Sequence, residues 1–266
     1  MMRLSVAQRS ECGGRKRNED WVGFCANDTR GCFVLADGTG GFGGGAIAAR
    51  VVVKELLRHF SGTPEVNQHS ISKTILTART ALINARKSYP RLSQMDTTMA
   101  VLMLDTQKAL AYWSSLGDSR IYLFRHGRAH TLTNDHSVLQ SMIDAGLISG
   151  SIRDNKKRAI LYAAVGSGDI PRRAVCKKPL ALRQGDTFLL CSDGFWESIN
   201  ESMMETVLQE AISPQHWIND MVIQVPNPKA SNQDNFSALA IWVGDREEVT
   251  RIIIRKTHEH IELANQ

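Results

Sequence analysis

At 266 residues, 42% of them hydrophobic, with 20 Gly and only 7 Pro, the chain has the size and composition of one domain with a sizeable core, which excludes the disordered, collagen-like and disulfide-dense classes. Its 32 Lys and Arg against 27 Asp and Glu give a formal charge of +5, a mild excess that attracts anions in general and does not by itself indicate nucleic acid. Cys12, Cys25, Cys32, Cys176 and Cys191 form no C-x-x-C pair, so free thiols in a reducing compartment are expected rather than a disulfide framework or a zinc site. The N-terminal stretch lacks a secretory apolar run, and no segment approaches the roughly 18 apolar residues of a membrane span; a cytoplasmic protein that engages no membrane is the expectation.

Two apolar runs, Trp21 to Cys25 and Gly31 to Ala36, flank a polar ANDTR turn and predict a hairpin of buried strands that stops at Asp37-Gly38. After the glycine cluster GTGGFGGG, apolar residues at Ile47, Val51, Leu56, Leu57 and Phe60 predict a helix over 46–60. A second helix is predicted over 70–87 from Ile71, Ile75, Ala78, Leu82 and Ala85, with Pro90 beyond its end. From Thr97 to Thr133 four short strands follow one another and read as an antiparallel meander. A helix over 137–145 ends at Gly146, and residues 147–158 show no periodicity and read as a surface excursion. A buried strand over 187–191 ends at Ser192-Asp193-Gly194; helices are predicted over 201–211 and 215–223, a last strand over 236–243, and a terminal helix over 247–263. Hairpins early and late with helices between them predict an α+β fold with antiparallel sheets.

The acidic residues matter more by position than by number. Glu19-Asp20, Asp37, Asp118, Asp193 and Asp234 all stand at ends of predicted strands or in the turns between them, and the intervals from Asp20 onwards are 17, 81, 75 and 41 residues, so only tertiary folding brings them together. Carboxylates that meet raise one another's pKa unless cations neutralise them. Oxygen ligands without clustered His or Cys select Mg²⁺ or Mn²⁺, and two such ions sharing a carboxylate lower the pKa of a bridging water, whose hydroxide is then a nucleophile near neutral pH. A phosphate at such a site calls for a guanidinium fork, and Arg15, beside Lys16 and Arg17, is the candidate.

The ordered set RKRNED (15–20), LADGTGG (35–41), Thr97-Thr98, GDSR (117–120), LTNDHS (132–137), SDGFW (192–196) and Asp234-Asn235 resembles the PP2C-type (PPM) serine/threonine protein phosphatases, over residues 15 to about 243. The resemblance implies two central antiparallel β-sheets packed as a sandwich and flanked by α-helices, in a phosphatase domain over 1–244 with a flap at about 147–168, and a C-terminal helix over 245–266. It implies that Asp37 bridges two Mn²⁺ or Mg²⁺ ions with help from the Gly38 carbonyl, that Asp193 and Asp234 complete the first-metal side, and that Glu19 and Asp20 act mostly through coordinated water. Asp118 matches the position that, with Asp193, holds a third, weaker ion in some members, and Arg15 matches the arginine that binds the substrate phosphate. Phosphorylated protein substrates of a cognate Ser/Thr kinase, a monomeric state and no nucleic-acid partner follow from the same resemblance.

The chain departs from the family pattern in two places. Thr39 follows the DG pair where many eukaryotic relatives carry a histidine proposed as general acid, which leaves His136 as a tempting substitute, against the plainer reading of a structural histidine at a helix start. The stretch RAILYAAVG stands where bacterial relatives commonly show RNVLTRALG, so polar contacts are expected to be lost there; basic RDNKKR within the flap is a candidate attractor of acidic phosphoproteins. Gly38-x-Gly40-x-x-Gly43 also matches a dinucleotide-binding fingerprint, but Asp37 would aim a carboxylate at the pyrophosphate and no acidic residue ends a second strand about 20 residues on. The remaining alternative is a catalytically weak, PP2C-like regulator that binds phosphoproteins without turnover.

Overall fold

The computed structural model describes residues 2–39, 43–63, 65–150, 160–167, 169–225 and 233–244. Strands β1 (Leu4–Glu11), β2 (Asp20–Ala26) and β3 (Arg30–Thr39) lead into helices α1 (Gly44–Ser61) and α2 (Gln68–Ser88). Five strands follow, β4 (Asp96–Thr97), β5 (Met99–Asp105), β6 (Leu110–Leu116), β7 (Arg120–Arg125) and β8 (Arg128–Thr131), and then the short helix α3 (Val138–Asp144). Strands β9 (Leu180–Ala181) and β10 (Thr187–Cys191) precede helices α4 (Asp193–Trp196), α5 (Glu201–Glu210) and α6 (Pro214–Ile223), and β11 (Phe236–Val243) comes last.

The strands form two sheets, ordered β1-β11-β10-β7-β8 and β2-β3-β5-β6-β9 with β4 added to β3, and all their pairings are antiparallel. Alternate residues of each central strand enter different cores. On β3, Phe33 and Leu35 pack between the sheets with Leu239 and Ile241, whereas Cys32, Val34 and Ala36 face α1 and α2; on β11, Ala238, Ala240 and Trp242 face α5 and α6. Helices thus cover both outer faces of the sandwich. A strand buried on both faces has no polar alternation, which is why these segments read as continuous apolar runs.

Helix α2 buries the predicted stripe of Ile71, Ile75, Ala78, Leu82 and Ala85, and Asn67 caps it reciprocally with Ser70. In α1 the buried face consists of Ala48, Ala49, Val52, Val53, Leu56 and Phe60, while the expected Ile47, Val51 and Leu57 are only partly buried. Helix α1 comes close to β2 at Gly23, where a Cβ would stand 3.0 Å from Leu57 Cδ1 and 3.2 Å from Val53 Cγ1.

Three sequence expectations need correction. The four-strand meander is divided, with β5 and β6 in one sheet and β7 and β8 in the other. Gly117, at φ +96°, makes the crossing, and a Cβ there would lie 2.5 Å from Thr98 Cγ2, so both the backbone conformation and the space require glycine. Strand β1, absent from the sequence reading, pairs along its whole length with β11. The Asp193 turn is the first residue of a helix, α4. The predicted terminal helix over 247–263 and the basic stretch 153–158 lie outside the described residues.

Candidate active site

Strand ends from both sheets open onto one cleft of about 700 Å³, and Asp37, Asp118, Asp193, Asp234, Glu19 and Arg15 line it. Lys16, Arg17, Gly38, Thr39 and Leu161 also reach it. Asp20 is buried just beneath, as the cross-strand partner of Asp37. The Gly38 N–H donates to the Glu19 carbonyl at 3.2 Å, so the neighbouring Asp20–Asp37 pair occupies the position between ladder bonds, where opposed side chains stand closest. All the predicted acidic residues therefore gather at one end of the sandwich.

Backbone anchors hold Asp37 on both sides. Its N–H donates to Thr98 Oγ1 at 2.9 Å, and its carbonyl accepts from Thr97 Oγ1 and from the Thr98 N–H, each at 2.8 Å. Thr98 in turn shares a 2.7 Å hydroxyl contact with Ser119, which ties Asp37 to the GDSR crossing. Gly38 has no room for a side chain, because a Cβ would fall 2.2 Å from the Gly45 carbonyl oxygen; the chain must pass this close for α1 to start at the cleft. Asn235 staples the Arg15 loop: its Oδ1 accepts from the Glu19 N–H at 2.8 Å, and its Nδ2 donates to the carbonyls of Cys12 and Arg17 at 2.8 and 2.9 Å.

The carboxylates are under electrostatic stress. Burial pushes Asp20 up to about 7, and Asp193 and Asp234 add to the rise against hydrogen bonds from Ser237 and Ser192. Burial likewise raises Asp37, followed by repulsion from Asp20, Asp193 and Asp118, and it raises Asp118 together with Asp193 and Asp135. Asp20 Oδ1 is buried without a hydrogen-bond partner. Arg15 meets Asp234 at 2.8 Å, Ser192 holds Asp20 Oδ2 at 2.8 Å, and the Gly194 N–H holds Asp193 Oδ1 at 2.6 Å. With the side chains so engaged, no group of three Asp, Glu, His or Cys among the described residues closes into a ready-made ion cage. The donor chemistry nevertheless fits hard divalent cations: the acidic donors are all carboxylates, and an orphaned carboxylate oxygen sits beneath them.

His136 is structural. Its Nδ1 accepts from the Gly117 N–H at 3.2 Å, its own N–H donates to the Gly117 carbonyl at 2.9 Å, and its ring meets Tyr162 edge-on at 5.9 Å. Burial lowers its pKa to about 4, against a small opposing effect of Asp135, so it holds no proton to give at neutral pH. Because the folded pKa lies below the unfolded one, the stability it contributes is present above about pH 6.5 and is lost as pH falls toward 4, on the order of 3 kcal/mol in all. In an NMR titration its ring signals are expected to stay fixed from pH 8 to 5.5; a midpoint above 6 would contradict this assignment. His126 and His130 are exposed on the β7–β8 hairpin.

The sequence reading missed the residues that support the cleft wall. Asp96 Oδ1 accepts from the Thr97 N–H at 2.8 Å and from the Gly166 N–H at 2.7 Å, with Arg86 at 3.6 Å from its other oxygen. The Val165 N–H donates to the Thr97 carbonyl at 2.9 Å, and Arg79 binds the Ser167 carbonyl at 2.6 Å. Polar contacts to Val165, Gly166 and Ser167 are thus supplied from α2 and β4. The only sequence signal was an acidic residue directly before Thr97-Thr98.

The family model for protein phosphatase 2C matches residues 8–217. The chain belongs to the protein phosphatase 2C family. Among its relatives is the serine/threonine phosphatase Stp of Listeria monocytogenes, 31% identical over 204 residues, which cover 73% of this chain and 79% of Stp. The solved structure of PstP/Ppp from Mycobacterium tuberculosis superposes with a TM-score of 0.79 at 22% identity, covering 92% of this chain and all of that one. The PstP catalytic domain in complex with two manganese ions gives a TM-score of 0.76 at 24% identity, covering 92% and 100% of the two chains. Strand β3, which ends in Gly38 and Thr39, pairs antiparallel with both β2 and β5, which rules out the parallel dinucleotide-binding unit.

Proposed function

We propose that this member of the family hydrolyses phosphoserine and phosphothreonine on proteins, in a single displacement that requires two Mn²⁺ or Mg²⁺ ions, with a third held more weakly. The observation that carries the reading is the convergence of Asp20, Asp37, Asp118, Asp193 and Asp234 beside Arg15, with the carboxyl groups of Asp20, Asp37 and Asp118 raised by burial and by one another's charge. Asp37 and the Gly38 carbonyl would hold the ion pair, Asp193 and Asp234 would complete one side, Glu19 and Asp20 would act through water, and Asp118 would serve the third ion with Asp193. Bound ions supply Lewis acidity, lowering the pKa of water and neutralising charge on the phosphoryl oxygens.

The chain's own residues bind and orient. Arg15 is half exposed and paired with Asp234, so it can turn its fork to a phosphate without leaving a buried carboxylate bare once Asp234 has another cation. Thr97 and Thr98 keep Asp37 fixed from both backbone sides. His136 does not donate to the leaving group, since it is neutral and turned onto Gly117; that proton comes from water or from another group. Turnover of p-nitrophenyl phosphate with Mn²⁺, abolished by EDTA, is the expected outcome, and absence of metal-dependent turnover would favour the phosphoprotein-binding regulator. Arg15→Ala should raise KM by roughly tenfold or more and lower kcat less. An unchanged KM with a fallen kcat would contradict a ground-state phosphate clamp.

In this reading the phosphatase unit comprises residues 1–244, acts as a cytoplasmic monomer on substrates of a cognate Ser/Thr kinase, and engages neither nucleic acid nor membrane. No helix among the described residues is long and apolar enough to cross a membrane.

A further inference from the structure

The net positive charge of this protein is concentrated in one layer. Helices α1 and α2 together carry seven Lys and Arg against the single carboxylate of Glu55, a balance of +6 beside +5 for the whole chain, and α2 has no acidic residue at all. Between them, on the side turned away from the sheet, lies a groove of about 810 Å³. Val51, Leu76, Ala81 and Tyr89 give it apolar walls, with Leu76 69% and Tyr89 45% exposed, and Lys54, Arg58 and Lys73 border it. Arg58 is engaged with Glu55 at 2.5 Å, so the one carboxylate is already neutralised; Lys54 and Lys73 enter no ion pair among the described residues. The groove starts at Val51, seven residues along α1 from Gly44, which is about 10 Å at 1.5 Å per residue, and Gly43 lines the catalytic cleft.

We propose that this groove docks an acidic amphipathic helical segment of the phosphoprotein substrate while the phosphorylated side chain of the same molecule occupies the cleft; this rests on the phosphatase reading above. An amphipathic helix laid in the groove presents apolar side chains at spacings of three and four residues to Leu76 and Tyr89, and Asp or Glu on its flanks meets Lys54 and Lys73. Charge complementarity selects acidic over basic segments and speeds encounter at low salt. A flat bilayer would not enter a cleft between two helices, and the exposed Leu76 and Tyr89 call for apolar side chains rather than a phosphate backbone. The two sites on one ligand raise the effective concentration of the phosphate at the cleft without any new contact there.

Two peptides sharing one phosphothreonine test this, one of them extended through a Gly/Ser spacer by a 14-residue Leu/Glu amphipathic helix. Wild-type protein should show at least tenfold higher kcat/KM on the extended peptide, through KM, and the gain should vanish in a Lys54→Glu/Lys73→Glu variant whose turnover of p-nitrophenyl phosphate is unchanged. Fluorescence anisotropy of the labelled, unphosphorylated extension in EDTA should show the same loss of binding in the variant. No advantage for the extended peptide, or one that survives in the variant, would overturn the proposal, as would Lys54- and Lys73-dependent binding to phosphatidylglycerol vesicles in place of the peptide. Failure of wild type to turn over p-nitrophenyl phosphate with Mn²⁺ would overturn the phosphatase reading, and with it the occupant as substrate, while the EDTA measurement reports separately on the groove.

Discussion

Asp37→Asn is expected to lower turnover by at least ~10³-fold, the equivalent of about 4 kcal/mol of transition-state stabilisation, while leaving the metal-free protein as stable as wild type or more so. The two effects have one origin. Burial raises the Asp37 carboxyl group, and Asp20, directly across the strand pair, Asp193 and Asp118 repel its charge. Its folded pKa lies above the unfolded one, so the folded state binds a proton that the unfolded state has released; stability then falls as pH rises from about 4 through the folded pKa. Asn keeps the shape and the Thr97 and Thr98 anchors, which are to the backbone, and removes the charge. Thermal melts in EDTA between pH 5 and 8 should therefore show a shallower decline for the variant than for wild type, and Mn²⁺ should flatten the wild-type curve by keeping the carboxylates ionised at no cost. Turnover within tenfold of wild type at saturating Mn²⁺ would remove Asp37 from the centre of the site. A melting point several degrees lower with and without metal would show that Asn had damaged the fold instead.

The acidic constellation was legible because each member stands next to a strand with an apolar run: Leu35-Ala36 before Asp37, Leu190-Cys191 before Asp193 and Phe236–Val243 after Asp234. What the sequence could not display was how distant segments share bonds. The Asp96–Gly166 bond spans 70 residues, and nothing local marks Asp96 as an anchor. Helix α4 is four residues long, too short for a period to emerge, and β1 is half polar because it lies at a sheet edge with one flank unpaired. The division of the meander between two sheets follows from the positive φ of Gly117, a conformation that the glycine permits but does not announce. Net charge misled in the same way. The basic run RDNKKR drew attention along the sequence, whereas the larger excess is spread at wide spacing over α1 and α2 and becomes a single surface only when the helices lie side by side.

Arg120→Ala is expected to cost about 3–5 kcal/mol, the largest loss of stability from any single change at the site's perimeter. Arg120 donates two bonds to Asp135, Nε to Oδ1 at 2.9 Å and Nη2 to Oδ2 at 2.8 Å, with side-chain exposures of 11% and 4%. Its Nη1 donates to the Tyr122 hydroxyl at 3.0 Å, that hydroxyl donates to Glu201 at 2.9 Å, and the guanidinium lies 3.5 Å from the centre of the Trp196 ring. Removing the fork strands Asp135 as a buried uncompensated charge, and the cost of that exceeds whatever the pair contributes over an apolar equivalent. Lysine would not restore it, because an ammonium cannot make the two parallel bonds or lie flat on the indole. A paired replacement, Arg120→Met with Asp135→Leu, should recover most of the loss, since no charge is then left behind. The Trp196 indole N–H donates to the Asp118 carbonyl at 2.9 Å, so the single variant should also loosen Asp118 and reduce activity, whereas the paired variant keeps packing under Trp196. Chemical denaturation of the three proteins settles the matter: a loss below about 1 kcal/mol for Arg120→Ala, or a paired variant no more stable than the single one, would show that solvent reaches Asp135 and that the pair is not a buried one.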